Sequence, residues 1–175
     1  MNKIDIDKYS PKASDKFFFD NNIWMYFYCP IGNYNSNIVK RYSDFFGKIL
    51  NIGAKIYVSS LVLSEFYNSY SRLEFNIWRN GEQKDYKKDF RPTDKFKETG
   101  ELINMAIESQ ILGVAERIND GFINMSIEDI NLKCEDLDFN DSYYIELAKK
   151  HNCKIVTNDR DFLTVSDNIE IVTSL

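Results

Sequence analysis

The stretch "KIVTNDRDFL", residues 154–163, carries the reading of the fold. Its apolar pair Ile155-Val156 reads as a short buried strand that stops in Thr157-Asn158-Asp159-Arg160-Asp161. Two carboxylates and a guanidinium at the end of a buried strand have two explanations. Asp and Asn are good turn residues, and strands emerge at turns. In an open parallel α/β sheet, however, ligands bind at the carboxyl ends of the strands. One Asp decides nothing, so the question is whether other acids occupy equivalent places.

Outward from this stretch, strands and helices alternate. Lys16-Phe17-Phe18-Phe19 is a continuous apolar run that fits a strand buried on both faces. A short helix follows over 21–28, closed by Cys29-Pro30, and a second helix is expected over 39–51 with Gly53 after its end. Ile56-Tyr57-Val58 is the next strand, and Ser59-Ser60 offers capping hydroxyls for a helix running to about Trp78. Residues 80–92 read as a polar loop, 93–119 as helical, and 122–136 have no clear pattern. A strong amphipathic helix is predicted over 137–151, and Ile169–Val172 is the last strand. The alternation predicts an α/β fold with a parallel sheet and crossover helices on both faces. Residues 1–15 read as a polar lead-in to one domain over 16–175.

Composition narrows the function. The 175 residues are 43% hydrophobic and 28% charged, an ordinary globular balance. No apolar run approaches a membrane span, and the charged N-terminus lacks the apolar stretch of a signal peptide, so a cytoplasmic protein is expected. Cys29, Cys134 and Cys153 are widely spaced and form no C-x-x-C pair, which argues for reduced thiols. The single histidine, His151, reads as a helix-terminal residue, and one histidine assembles no Ser-His-Asp or Cys-His chemistry. Net charge is −5, but the charges are segregated: residues 72–97 hold eight basic and five acidic side chains, which leaves −8 on the rest. Taken alone, that segment reads as a solvated loop of mixed charge.

The acids do recur at one edge. Asp20 ends the first strand, Glu65 lies one turn inside the helix after the second, and Asp159 follows the "KIVT" strand. Asp141, in the first turn of its helix, joins them if that turn faces the same edge. Singly, each is a turn, surface or helix-dipole acid, and Asp138 reads as the cap of the last long helix. Jointly they describe a site. Two unit charges ~4 Å apart repel by about 4 kcal/mol at an effective dielectric near 20. Such a cluster must therefore take up protons or bind cations. Oxygen-only ligation without Cys or His suits Mg²⁺ or Mn²⁺ and disfavours Zn²⁺, and two such ions would serve phosphodiester hydrolysis.

The ordered blocks "FFFDNNIWMYFY" (17–28), "IYVSSLVLSEF" (56–66) and "LDFNDSYYIELAKKHNCKIVTNDRDF" (137–162) resemble those of PIN-domain ribonucleases, particularly the VapC-like toxin branch. Residues 68–136 resemble the family only in being helical, and Asn21 stands where Thr or Ser is commoner. The resemblance implies a three-layer α/β/α domain with a central, mostly parallel sheet of about five strands. It implies a Mg²⁺- or Mn²⁺-dependent endoribonuclease and, for a toxin, a cognate antitoxin. Asp20, Glu65 and Asp141 would be the main metal ligands, with Asp159 a ligand or a supporting acid. Asn22, Ser60 and Thr157 would orient carboxylates or water. Lys87, Lys88 and Arg91, with Arg160 beside Asp159, are candidate contacts to RNA phosphates. Aromatic residues of the helical middle, among them Phe66, Tyr67, Tyr70, Phe75 and Trp78, could bury a partner helix or a second copy of the chain. A haloacid-dehalogenase phosphatase would want an Asp where Asn22 stands. A non-catalytic PIN-like binding module would not need all four acids.

Overall fold

Buried parallel strands need apolar side chains on both faces, and that requirement sets the middle of the sheet. The computed structural model describes residues 2–134, 137–164 and 168–175. Six strands are present: β1 (Asn2–Asp5), β2 (Lys16–Phe19), β3 (Lys55–Val58), β4 (Glu116–Arg117), β5 (Lys154–Val156) and β6 (Glu170–Thr173). Their order is β1-β6-β5-β2-β3-β4, and every pairing is parallel. The apolar strands β2 and β5 lie together in the centre, while β1 and β4 form polar, exposed edges.

Those edges account for the departures from the sequence reading. β1 lies within the expected polar lead-in and pairs with β6, with Asn2 opposite Glu170, so the domain begins earlier than residue 16. β4 takes two residues from the end of the stretch expected to be helical, and the sheet has six strands where about five were expected.

The helices are α1 (Asn21–Tyr28), α2 (Ser36–Ile52), α3 (Ser60–Trp78), α4 (Asp94–Met105), α5 (Leu112–Val114), α6 (Ile127–Lys133) and α7 (Phe139–His151). Wider π-helical turns over 106–111 join α4 to α5. Local signals end most of them. Asn35, Ser59, Thr93 and Asp138 accept backbone N–H groups at the starts of α2, α3, α4 and α7. Gly53 and Asn152 adopt left-handed backbones, φ 70° and 53°, at the ends of α2 and α7.

Side chains alternate across β2 and define the layers. Phe17 meets Phe45 of α2 edge-on at 5.6 Å, and Phe19 packs on Trp24 of α1 and Phe46 of α2. Phe18, between them, faces Tyr144 of α7 at 5.4 Å on the other side. The result is an α/β/α sandwich with an aromatic core on each face.

The basic segment folds back on the C-terminal half of α3. Tyr86 shares a 2.6 Å hydrogen bond with Ser71, Phe90 is fully buried against Phe75, and Arg72 and Lys84 lie over the rings of Tyr86 and Trp78. Residues 86–90, expected as loop, form a π-helical turn capped by Asp85. Phe66, Tyr70 and Phe75 are buried within the domain, so most of the surplus aromatic surface is internal packing; Ile77 is half exposed. Cys29, Cys134 and Cys153 are unpaired. Among the described residues no helix is long and apolar enough to cross a membrane.

Candidate active site

Asp20 is placed by the sheet itself. Its N–H donates to Val156 O at 3.1 Å, extending the β2–β5 ladder by one residue, and α1 starts immediately afterwards. The side chain does not cap α1; it is buried at the carboxyl edge of the central strands. There Thr157, just past β5, donates its hydroxyl to Asp20 Oδ2 at 2.7 Å. Asn22 Nδ2 donates to the same carboxylate oxygen and, at 3.0 Å, to Thr157 Oγ1. The Asn22 side-chain oxygen Oδ1 in turn accepts the Asn158 backbone N–H at 3.3 Å.

Asp159 lies two residues beyond Thr157, and its N–H donates to Thr157 Oγ1 at 2.9 Å. Its Oδ1 accepts the N–H of Asp161 at 3.0 Å, closing a turn. Asp159 is thus a turn residue and also part of the acidic edge. Glu65, one turn and a half into α3, accepts the Tyr144 hydroxyl at Oε2, 2.6 Å away. Asp141 occupies the first turn of α7, its N–H bonded at 2.9 Å to the capping Asp138.

Electrostatics ties these positions together. The Asp20 carboxyl is pushed up to about 7, first by burial and then by the charges of Glu65 and Asp159, against the pull of the Thr157 hydrogen bond. Asp141 is pushed up to about 8, first by burial and then by Asp20, Asp138, Asp159 and Glu65. Glu65 is raised by burial while the Tyr144 hydrogen bond opposes the rise. Like charges that disfavour one another's ionised forms must share one region of low polarity. Asp20, Asp138, Asp159 and Glu65 are thus all close enough to Asp141 for their charges to disfavour its ionised form.

As arranged, no three Asp, Glu, His or Cys side chains among the described residues stand at the spacing of a closed metal cage. The donor chemistry nonetheless fits a hard cation: several carboxylates, with no ion pair to Lys or Arg among the described residues. Among the described residues the buried Asn21 Oδ1, next in sequence to Asp20, has no hydrogen-bond donor, whereas its Nδ2 bonds Ser69 Oγ at 3.2 Å. An orphaned buried oxygen there suits a cation or a water on it.

Other predicted residues lie elsewhere. Ser60 is exposed at the start of α3, with no hydrogen bond to the acids among the described residues; Ser59 supplies the cap, accepting Val62 N–H at 3.2 Å. Lys87, Lys88 and Arg91 flank Phe90, which packs on Phe75, ten residues or roughly 15 Å along α3 from Glu65. The N–H groups of Lys87 and Lys88 bond Asp85, and Arg91 lies near the rings of Tyr86 and Phe96. Arg160 is exposed next to Asp159. The sequence reading passed over Tyr144, Tyr42, Tyr26 and Asn158. Tyr42 donates to Thr157 O at 2.7 Å, and Asn158 Nδ2 donates to Tyr26 OH at 3.0 Å. Only Tyr144 had a sequence signal, its i+3 spacing from Asp141 on one helix face.

The PIN domain family model matches residues 17–168. Among solved structures the chain is similar to one in VapBC2 from Rickettsia felis bound to a DNA fragment from the promoter. The two are 16% identical, with a TM-score of 0.57, over 90% of this chain and 98% of that one, a likeness of fold. No curated protein matches the sequence. A family match that spans all four acids, on a sheet that brings their elements to one edge, makes this chain a member of the PIN domain family.

Proposed function

We propose that the protein is a divalent-metal-dependent endoribonuclease and the toxin of a toxin–antitoxin pair. PIN domains are generally nucleases, and the observation that carries the finer reading is the pair of raised carboxyls Asp20 and Asp141, disfavoured by burial and by the charges of Glu65 and Asp159. Asp20, Glu65 and Asp141 would hold Mg²⁺ or Mn²⁺, and Asp159 would hold or support it. When bound, the ion supplies charge neutralisation of the scissile phosphate and a more acidic attacking water. The chain's own residues do the rest. Thr157 and Asn22 fix the Asp20 carboxylate, and Tyr144 holds Glu65. Asp20 and Asp141 are pushed up to about 7 and about 8, and a bound cation would favour their ionised forms. Arg160, exposed beside Asp159, would meet a substrate phosphate.

The antitoxin part of the reading is supported by the VapBC2 likeness. Purified protein should cleave RNA with Mg²⁺ or Mn²⁺ and be silent with EDTA, and its expression alone should arrest growth unless a neighbouring gene is co-expressed. Metal-dependent cleavage without growth arrest would assign it to RNA processing instead. Absence of cleavage under every metal condition would remove the nuclease reading.

A further inference from the structure

Tyr144 stands where three of the acid-bearing elements meet. It lies on α7 three residues after Asp141, so both side chains project from one face of that helix. Its ring packs 5.4 Å from Phe18, two residues before Asp20 on β2. Its hydroxyl donates to Glu65 Oε2 on α3, across 79 residues of sequence, at 2.6 Å. The side chain is fully buried, as is Phe18.

The ring and the hydroxyl have separate tasks. Packing against Phe18 requires only an aromatic ring, which Phe would supply equally. A buried hydroxyl needs a partner, and among the described residues Glu65 is the one that accepts it. A tyrosine here is therefore explained by the carboxylate rather than by the core. Bonds from a neutral donor to a carboxylate are short and strong and orient both oxygens. The Asn21 side chain also reaches the carboxylate, and the Tyr144 bond adds a tie from Oε2 to the helix that carries Asp141.

We infer that Tyr144 is a positioning residue: through its hydroxyl it holds Glu65 in register with Asp20 and Asp141 and so sets the affinity of the acidic edge for a divalent cation. The inference rests on the proposed metal-dependent function and adds to it a residue outside the four acids. It predicts an effect on cation binding first and on the chemical step second.

The test is Tyr144→Phe, which keeps the ring and removes the oxygen. Mn²⁺ binding to the purified protein, read by electron paramagnetic resonance of the free ion, should weaken about tenfold, or about 1.4 kcal/mol. In RNA cleavage the Mn²⁺ concentration for half activity should rise by the same factor, with kcat at saturating Mn²⁺ within about twofold of wild type. In a Glu65→Gln background the same substitution should cause no further weakening, because the acceptor charge is already gone. A melting transition without metal close to that of wild type establishes that the variant is folded. Equal Mn²⁺ affinity of wild type and Tyr144→Phe overturns the inference and leaves the nuclease reading standing. Failure of the wild type to bind Mn²⁺ overturns both.

Discussion

Thr157 donates its hydroxyl to Asp20 Oδ2 at 2.7 Å, joining residues 137 positions apart at the ends of two neighbouring parallel strands. Thr157 Oγ1 itself accepts Asn22 Nδ2 at 3.0 Å and the Asp159 N–H at 2.9 Å. A hydroxyl has one proton and two lone pairs, and here all three are used. Thr157 thereby fixes Asp20 and the start of the Asp159 turn with one atom. Thr157→Val keeps the shape and strands two donors, so it should cost about 1–3 kcal/mol in urea unfolding. Thr157→Ser should restore most of that loss; a Val variant as stable as wild type would show the hydroxyl to be dispensable.

Asp141 should show opposite signs in stability and activity. Its carboxylate is disfavoured by burial and by four neighbouring acids, while the Asp138 cap bonds its backbone and not its side chain. Asp141→Asn should therefore raise the melting temperature of the metal-free protein at pH 9. It should also lower metal-dependent RNA cleavage at least ~100-fold, the equivalent of about 2.7 kcal/mol of transition-state stabilisation. Wild-type cleavage by the variant would remove Asp141 from the site.

The pH dependence of stability follows from the same groups. Asp20 and Asp141 hold their protons up to about pH 7 and about pH 8 in the fold, against 3.8 for an ordinary Asp. Between those limits the folded state binds more protons than the unfolded chain. Metal-free stability is therefore full below about pH 4 as far as these two groups are concerned, and declines as pH rises to about 8. Urea midpoints at pH 5, 7 and 9 should fall in that order without metal, and saturating Mg²⁺ should reduce the fall. A metal-free curve that rises over this range would mean that these carboxylates are not in conflict.

Asp138 and Asp161 should matter less. Asp138 caps α7, so Asp138→Ala should cost about 1 kcal/mol, with a smaller loss of cleavage than Asp141→Asn. Asp161 contributes its backbone N–H to the Asp159 turn, which Ala retains, so Asp161→Ala should be close to neutral. Loss of cleavage at either position equal to that of Asp141→Asn would assign it as a ligand.

The basic segment predicts a salt effect. Reversing Lys87, Lys88 and Arg91 to Glu should weaken RNA binding whatever the sequence and flatten the dependence of affinity on salt. These side chains are exposed near the packed rings of Tyr86, Phe90 and Phe96, well along α3 from Glu65, so long RNA should be affected more than a short oligonucleotide. An unchanged salt slope would leave them as solvated charge.

By itself the sequence determined the central strands, the helices beside them and the candidate acids. The run Phe17-Phe18-Phe19 is apolar because both faces of β2 are covered, and α1 occupies the predicted residues 21–28 because strand, Asp and amphipathic helix are all local signals. Asp138 was legible as a cap for the same reason. Only the tertiary structure decided the rest. β1 and β4 are short, polar edge strands whose hydrogen bonds come from distant partners, so neither shows a period. The link from Tyr144 to Glu65 spans 79 residues, and that from Tyr42 to Thr157 spans 115. A buried hydroxyl looks like any core aromatic until the chain that accepts its proton has been folded against it.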